Sequence, residues 1–185
     1  NIVYNPIKDL TLSAVFSYIR DNMNRGYGET LNHISALRDG LAGWSSVGAY
    51  TKMEKLMELT AQYNKEIGAH KFSVLGGYSY NETDFEELWI DNYGFQDDYF
   101  GGWHNIGIGS ALKDGKANIG SKKTPTNLIG FFGRATYSFK NRYLLMGALR
   151  YEGASQLWGT DNAWGLFPSI SVGWRITEEA FMKNQ

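Results

Sequence analysis

Hydrophobic and polar residues alternate over three consecutive segments from Phe131 onward. Phe131, Gly133, Ala135, Tyr137 and Phe139 fall on one face, with Arg134, Thr136 and Ser138 on the other. Beyond a short Lys140-Asn141-Arg142 turn, Leu145, Gly147, Leu149 and Tyr151 repeat the apolar set, while Arg150 and Glu152 join the polar one. Ile170, Val172, Trp174 and Ile176 then alternate with Ser169, Ser171, Arg175 and Thr177. A period of two predicts β-strands. Stretches of about 9–11 residues match the length a tilted strand needs to cross the hydrocarbon layer of a membrane. Arg134, Arg150, Glu152 and Arg175 have no place in an apolar core, so their face is expected to line a wet lumen.

Residues 9–20 set Leu10, Leu12, Ala14, Phe16 and Tyr18 against Thr11, Ser13, Val15 and Ser17, a strand that follows a turn at Asn5-Pro6. Residues 21–47 read as a long connection in which Leu31, Ile34, Leu37 and Leu41 have the spacing of a short helix. Over 49–64 two patterns compete. Met53, Leu56, Met57 and Thr60 fit a helical stripe, yet Met57, Leu59, Ala61 and Tyr63 alternate with Glu58, Thr60, Gln62 and Asn64. Strand is the better reading, because a further strand at 70–80 follows a tight reversal at 66–69. Residues 81–127 form a second long connection, acidic and then aromatic, and 153–166 a third. About six strands result, with the short links at 65–70 and 140–142 expected on the periplasmic side and those at 21–47, 83–126 and 154–166 outside. Thr177 before Glu178 and Glu179 suits the start of a short C-terminal helix.

Bulk composition is neutral on this point. A hydrophobic content of 43% and a net charge of -1 suit a soluble domain equally well, because a barrel strand is apolar on one side only. No apolar run reaches the roughly 18 residues of a helical span, and a near-neutral charge gives no reason to invoke nucleic acid. Tyr 12, Phe 10, Trp 6 and Gly 22 are more telling, since aromatic girdles and crowded strands use them. The absence of cysteine removes disulfides and thiolate metal sites. A first residue that is not Met and an end in mid-connection mark a fragment, so a leader peptide cannot be judged.

No residue announces catalysis. His33, His70 and His104 are scattered, and Gly107-Ile108-Gly109 lacks the third glycine and preceding strand of a dinucleotide fingerprint. The acids from Glu82 to Asp98 lack the loop spacing of a calcium hand, which leaves a solvated loop and no expected metal or cofactor. Trp44, Trp89, Tyr99, Trp103 and Trp158 fall in the predicted outer loops, where a ring face stacks on a sugar or an apolar peptide side chain. The plainer role for each is packing of the loop or a partner. Trp174, among apolar strand residues, reads as a girdle anchor.

Several motifs in combination resemble a known family. They are Phe132-Gly133-Arg134-Ala135-Thr136-Tyr137-Ser138-Phe139-Lys140-Asn141-Arg142-Tyr143-Leu144-Leu145, Leu149-Arg150-Tyr151-Glu152-Gly153-Ala154-Ser155, and Trp164-Gly165-Leu166-Phe167-Pro168-Ser169 continuing through Trp174-Arg175-Ile176-Thr177-Glu178-Glu179. This stretch resembles the SusC/RagA-type TonB-dependent outer-membrane receptors of Bacteroidetes, most strongly over 128–183. Asn5-Pro6-Ile7-Lys8-Asp9-Leu10 and Ile67-Gly68-Ala69-His70-Lys71-Phe72 look similar to the same family's strands and turns. One departure is Glu152 and Ala154, where the family usually reads Asp and Ser. The resemblance implies an all-β fold, about six consecutive strands of a transmembrane antiparallel β-barrel of about 22, with the plug and the TonB-binding segment outside these residues. On it, residues 1–185 are barrel domain throughout. It further implies active import of oligosaccharides or peptides across the outer membrane, energised by TonB and shared with a SusD-like surface lipoprotein. A passive porin or adhesin barrel and a soluble carbohydrate-binding β-sandwich stay open as alternatives.

Overall fold

In the computed structural model, which describes residues 1–98 and 102–182, seven strands are hydrogen-bonded in chain order into one open sheet. They are β1 (Ile2–Ile7), β2 (Leu10–Glu29), β3 (Trp44–Ile67), β4 (His70–Tyr93), β5 (Asn118–Phe139), β6 (Tyr143–Ala154) and β7 (Trp164–Trp174). The pairings β1 with β2, β5 with β6 and β6 with β7 are antiparallel. The β-reading of 49–64 holds, and a short helix, α1 (Ile34–Arg38), stands where the leucine spacing predicts one.

Three expectations are corrected. The sheet has a seventh strand, β1, which contains Asn5-Pro6, and the turn falls at residues 8–9 instead. Proline cannot donate to a ladder but is tolerated on an edge strand, and the register of β1 on β2 slips between Tyr4 and Ile7, where Pro6 lies. The strands are also longer than the alternation reaches: residues 21–29, 44–48, 81–93 and 118–127 are strand, not connection. Last, the tail after Trp174 is not a helix beginning at Thr177 but one 3-10 turn, Ile176–Glu178, because the side chain of Glu179 is drawn back to the sheet.

The turns follow from local chemistry. Between β5 and β6, Arg142 N donates to the Phe139 carbonyl at 2.9 Å, with Lys140 and Asn141 at φ 54° and 56°. Two successive positive φ values make residues 139–142 a type I′ turn, whose twist suits the strands it joins, and the pairing of Phe139 with Tyr143 leaves three residues in the hairpin loop. The β3–β4 reversal has Gly68 at φ 58°. Neighbouring turns are tied sideways, Asn64 N to the Asp9 carbonyl at 2.8 Å and Lys140 N to the Ala69 carbonyl at 2.7 Å.

The chain divides into two compact units. The first comprises Asn1–Tyr18, Glu54–Glu82 and the chain from Thr126 on, and it holds these short turns and the 155–163 loop. The second comprises Ile19–Met53 and Thr83–Pro125, with α1, the 3-10 segment Gly102–Ile108 and a second short helix, α2 (Ser110–Lys113). Among the described residues, the buried apolar side chains are Ala36, Phe95 and Ala111, all in the second unit beneath its loops. Asn92, fully buried there, donates to the carbonyls of Ile106 at 2.7 Å and Gly109 at 3.0 Å and so staples the 102–113 segment to β4.

Candidate functional site

The first unit contains a wall with two chemically opposite faces. Register across β5, β6 and β7 aligns Phe132 with Arg150 and Phe167, Gly130 with Glu152 and Gly165, and Arg134 with Ala148 and Ser169. Side chains alternate along each strand, so Arg134, Arg150 and Glu152 share a face with Thr136, Ser138, Ser169 and Ser171. Arg175 follows β7, its N–H bonded to the Arg142 carbonyl at 2.8 Å. Tyr137, Leu145 and Val172 align on the opposite face, as do Ala135, Gly147 and Ile170. Ile170 and Val172 are each 78% exposed, an arrangement that water penalises and acyl chains do not.

Aromatic rings bound this apolar band at both ends. Tyr143 pairs with Trp174 at one end, and Gly153 with Trp164 at the other. Ten residue steps at about 3.4 Å, tilted by about 40°, give a height of about 26 Å, the hydrocarbon band of an outer-membrane barrel. Phe72 and Tyr137 are 4.9 Å apart near the turn end, and Tyr78 and Phe131 are 5.3 Å apart toward the other.

On the polar face, Arg150 grips Glu152 with two hydrogen bonds, of 2.9 and 2.7 Å, reaches Ser79 Oγ at 3.4 Å and lies 5.7 Å from the centre of the Phe132 ring. Glu152, two positions along the strand, supplies the carboxylate of this bidentate pair.

Glu179, read from the sequence as a first-turn acid of a helix, has a different role in the structure. Its carboxylate accepts from Tyr143 Oη at 2.7 Å, Trp174 Nε1 at 3.1 Å and Arg142 Nη1 at 3.0 Å. The tyrosine and indole hydrogen bonds, with help from the Arg142 charge, hold this carboxyl below the usual carboxylate range. The bracket fastens the chain after β7 to both aromatic partners at the turn end.

The expected ligand aromatics separate. Trp44 opens β3 and Trp89 lies within β4, so both stand on strands and not in loops. Trp44 is 5.7 Å from the ring of Tyr27. Trp89 covers Gly120 so closely that a Cβ there would meet its ring at 2.2 Å. Trp103 sits in the Gly102–Ile108 segment, its ring centre 3.5 Å from that of His104 and tilted to it by 31°, and it lies over Gly26 and Gly28. Trp158 is in the 155–163 loop and 77% exposed. Tyr99 lies outside the described residues.

Acids of the 82–98 stretch have protein partners: Glu82 with Lys55 at 2.9 Å, Asp84 with Lys123 at 3.2 Å, Asp91 with Asn118 at 2.8 Å, and Asp98 with the N–H of Leu31 at 2.9 Å. His33 caps α1, and His70 lies 2.8 Å from Tyr137 Oη within an aromatic cluster.

A wall greasy on one face, charged on the other and edged with aromatic rings is built like part of a transmembrane β-barrel, the one way for strands to cross lipid with their backbone satisfied. Residues 2–181 match the family described as TonB dependent receptor-like, beta-barrel, and the chain belongs to that family of outer-membrane receptors. This membership removes the β-sandwich alternative and is not one of enzymes. The chain is 31% identical over 186 residues to TonB-dependent receptor P26 of Formosa agariphila, covering 100% of this chain and 18% of that one. It is 32% identical over 143 residues to TonB-dependent receptor SusC of Bacteroides thetaiotaomicron, covering 77% of this chain and 13% of that one. In fold it resembles the RagAB peptide transporter, with a TM-score of 0.71 at 21% identity over 98% of this chain and 19% of that one. The chain therefore spans less than a fifth of these relatives' length.

Proposed function

We propose that these residues form part of the barrel wall and outer loops of an active outer-membrane importer, working with a SusD-like surface lipoprotein and energised by TonB through parts of a longer receptor. The two-faced β5–β7 wall carries the reading: Leu145, Ile170 and Val172 meet lipid while Arg134, Arg150, Glu152 and Arg175 line a water-filled passage. All 185 residues belong to the barrel domain in this reading. The short turns face the periplasm and the long connections face outward. Oligosaccharides or peptides are the cargo class, supported by likeness to SusC and to the RagAB peptide transporter. Trp44 and Trp89, which stand on the strands β3 and β4, are the ligand-stacking candidates.

Deleting the receptor gene in its host and following growth on defined oligosaccharide or peptide mixtures tests this. Loss of growth on one nutrient class, repeated by deleting TonB, and co-purification of a surface lipoprotein are expected. Uptake that persists without TonB makes the protein a passive barrel.

A further inference from the structure

We infer that a cleft on the apolar face, at the end away from the short turns, binds the saccharide headgroup of an outer-leaflet glycolipid. Its volume is about 250 Å³, and Tyr80, Asn127, Ile129, Ser155, Trp158 and Trp164 are among its walls. Ile129, Gly153 and Trp164 are cross-strand partners, which puts them on the face of Leu145 and Ile170. The cleft begins where the band ends, beside the stacked rings of Tyr151 and Trp164, 4.8 Å apart. At that depth the neighbour of a lipid-facing wall is a headgroup.

The wall chemistry selects among headgroups. Ring faces are combined with neutral hydrogen-bonding groups of the cleft, Tyr80 Oη donating to Asn127 Oδ1 at 3.3 Å, with the Glu82 carboxylate beside them at 3.4 Å from Tyr80 Oη. Lys55, the cation beside them, is engaged by Glu82 at 2.9 Å and is not offered to a phosphate. A sugar ring needs a flat apolar face and hydroxyl or amide partners at its edge, and the cleft supplies both.

Trp158 is the open wall, held by an ordered loop. Its N–H donates to the Ser155 carbonyl at 3.2 Å, Thr160 Oγ1 to the Leu157 carbonyl at 2.7 Å, and Ala154 N to the Ala163 carbonyl at 3.1 Å. Asn127 N donates to Ser155 Oγ at 2.8 Å, which pins the loop to β5. These bonds hold the loop backbone, and the exposed indole it carries gains cover from a lipid headgroup. The inference takes Trp158 out of the nutrient-binding set, and it depends on the apolar face meeting lipid as proposed above.

The full-length receptor, reconstituted in nanodiscs of phosphatidylcholine alone or with added monogalactosyl diacylglycerol or phosphatidylglycerol, is released and examined by native mass spectrometry for retained lipid. The galactolipid is expected to be retained over both others, and Trp158→Ala to reduce that retention about tenfold, the worth of one aromatic stacking contact. Preference for phosphatidylglycerol, equal retention of all three, or an unaffected Trp158→Ala overturns the inference. A fluorophore on Val172→Cys, challenged with brominated acyl chains, separates the two levels. Quenching without galactolipid preference defeats the headgroup site alone, whereas no quenching defeats the lipid-facing reading beneath it.

Discussion

At the scale of single residues, Glu179 ties the end of β7 at Trp174 to Arg142 and Tyr143 at the start of β6. Because its folded carboxyl titrates below its ordinary value, the bracket contributes stability that is fully present above the unfolded value of about 4.3 and is lost as pH falls through the lower, folded one. Glu179→Gln in the full-length receptor is therefore expected to lower the thermal midpoint at neutral pH, read by the gel mobility of folded against unfolded barrel. The gap from the wild type should narrow in acid. A gap of constant size across pH would mean that the charge is not what the bracket uses. Lys140 and Asn141 offer the converse case, two side-chain-bearing residues at positive φ where Asn-Gly is the preferred pair. Replacing them with Asn-Gly should relieve on the order of 1 kcal/mol of backbone strain, measurable as a higher urea midpoint in lipid vesicles.

At the scale of elements, the period-two pattern reports a one-sided environment and not strand formation as such. The strands from Phe131 to Trp174 display it because one face is apolar, and the observed register places their residues on the faces that the pattern assigns, while Arg175 and Ile176 lie beyond the paired strand. Residues 21–29, 81–93 and 118–127 are equally regular strand, but acids, lysines, asparagines and rings occur there with no single greasy side, so alternation gives no signal. β1 was hidden for another reason, since Asn5-Pro6 is turn chemistry unless the strand is an edge with a slipped register. The site aromatics show the same limit: Trp44 and Trp89 could be picked out by type, but their strand positions and the seat of Trp103 over Gly26 and Gly28 depend on contacts between distant segments. A substitution pair on β7 tests the face assignment directly. Ile170→Arg should cost about 2–4 kcal/mol of folding free energy into bilayers, as a charge near mid-band does, while Ser171→Arg on the other face should cost little. Equal costs would show that the two faces of β7 do not meet different media.

At the scale of the whole receptor, two tryptophans of the second unit make different demands on function. Trp103 fills the space above Gly26 and Gly28, and Asn92 holds the same segment through the carbonyls of Ile106 and Gly109. Removing the Trp103 ring is expected to open that packing. Trp89 lies half-buried against Gly120 within the strand region, and the stacking role proposed for it needs the nutrient to meet its outer ring face. In the assembled receptor with its lipoprotein, Trp89→Ala should weaken binding of the imported nutrient about tenfold, the worth of a lost stacking face, with amide exchange in 102–113 unchanged. Trp103→Ala should do the reverse in the first instance, raising amide exchange across 102–113 because the segment has lost the ring that lies over Gly26 and Gly28. Calorimetry of nutrient binding paired with hydrogen exchange on each variant distinguishes the roles. If Trp89→Ala binds as the wild type does while exchange rises in 102–113, the stacking role passes from Trp89 and its ring is one more piece of loop packing.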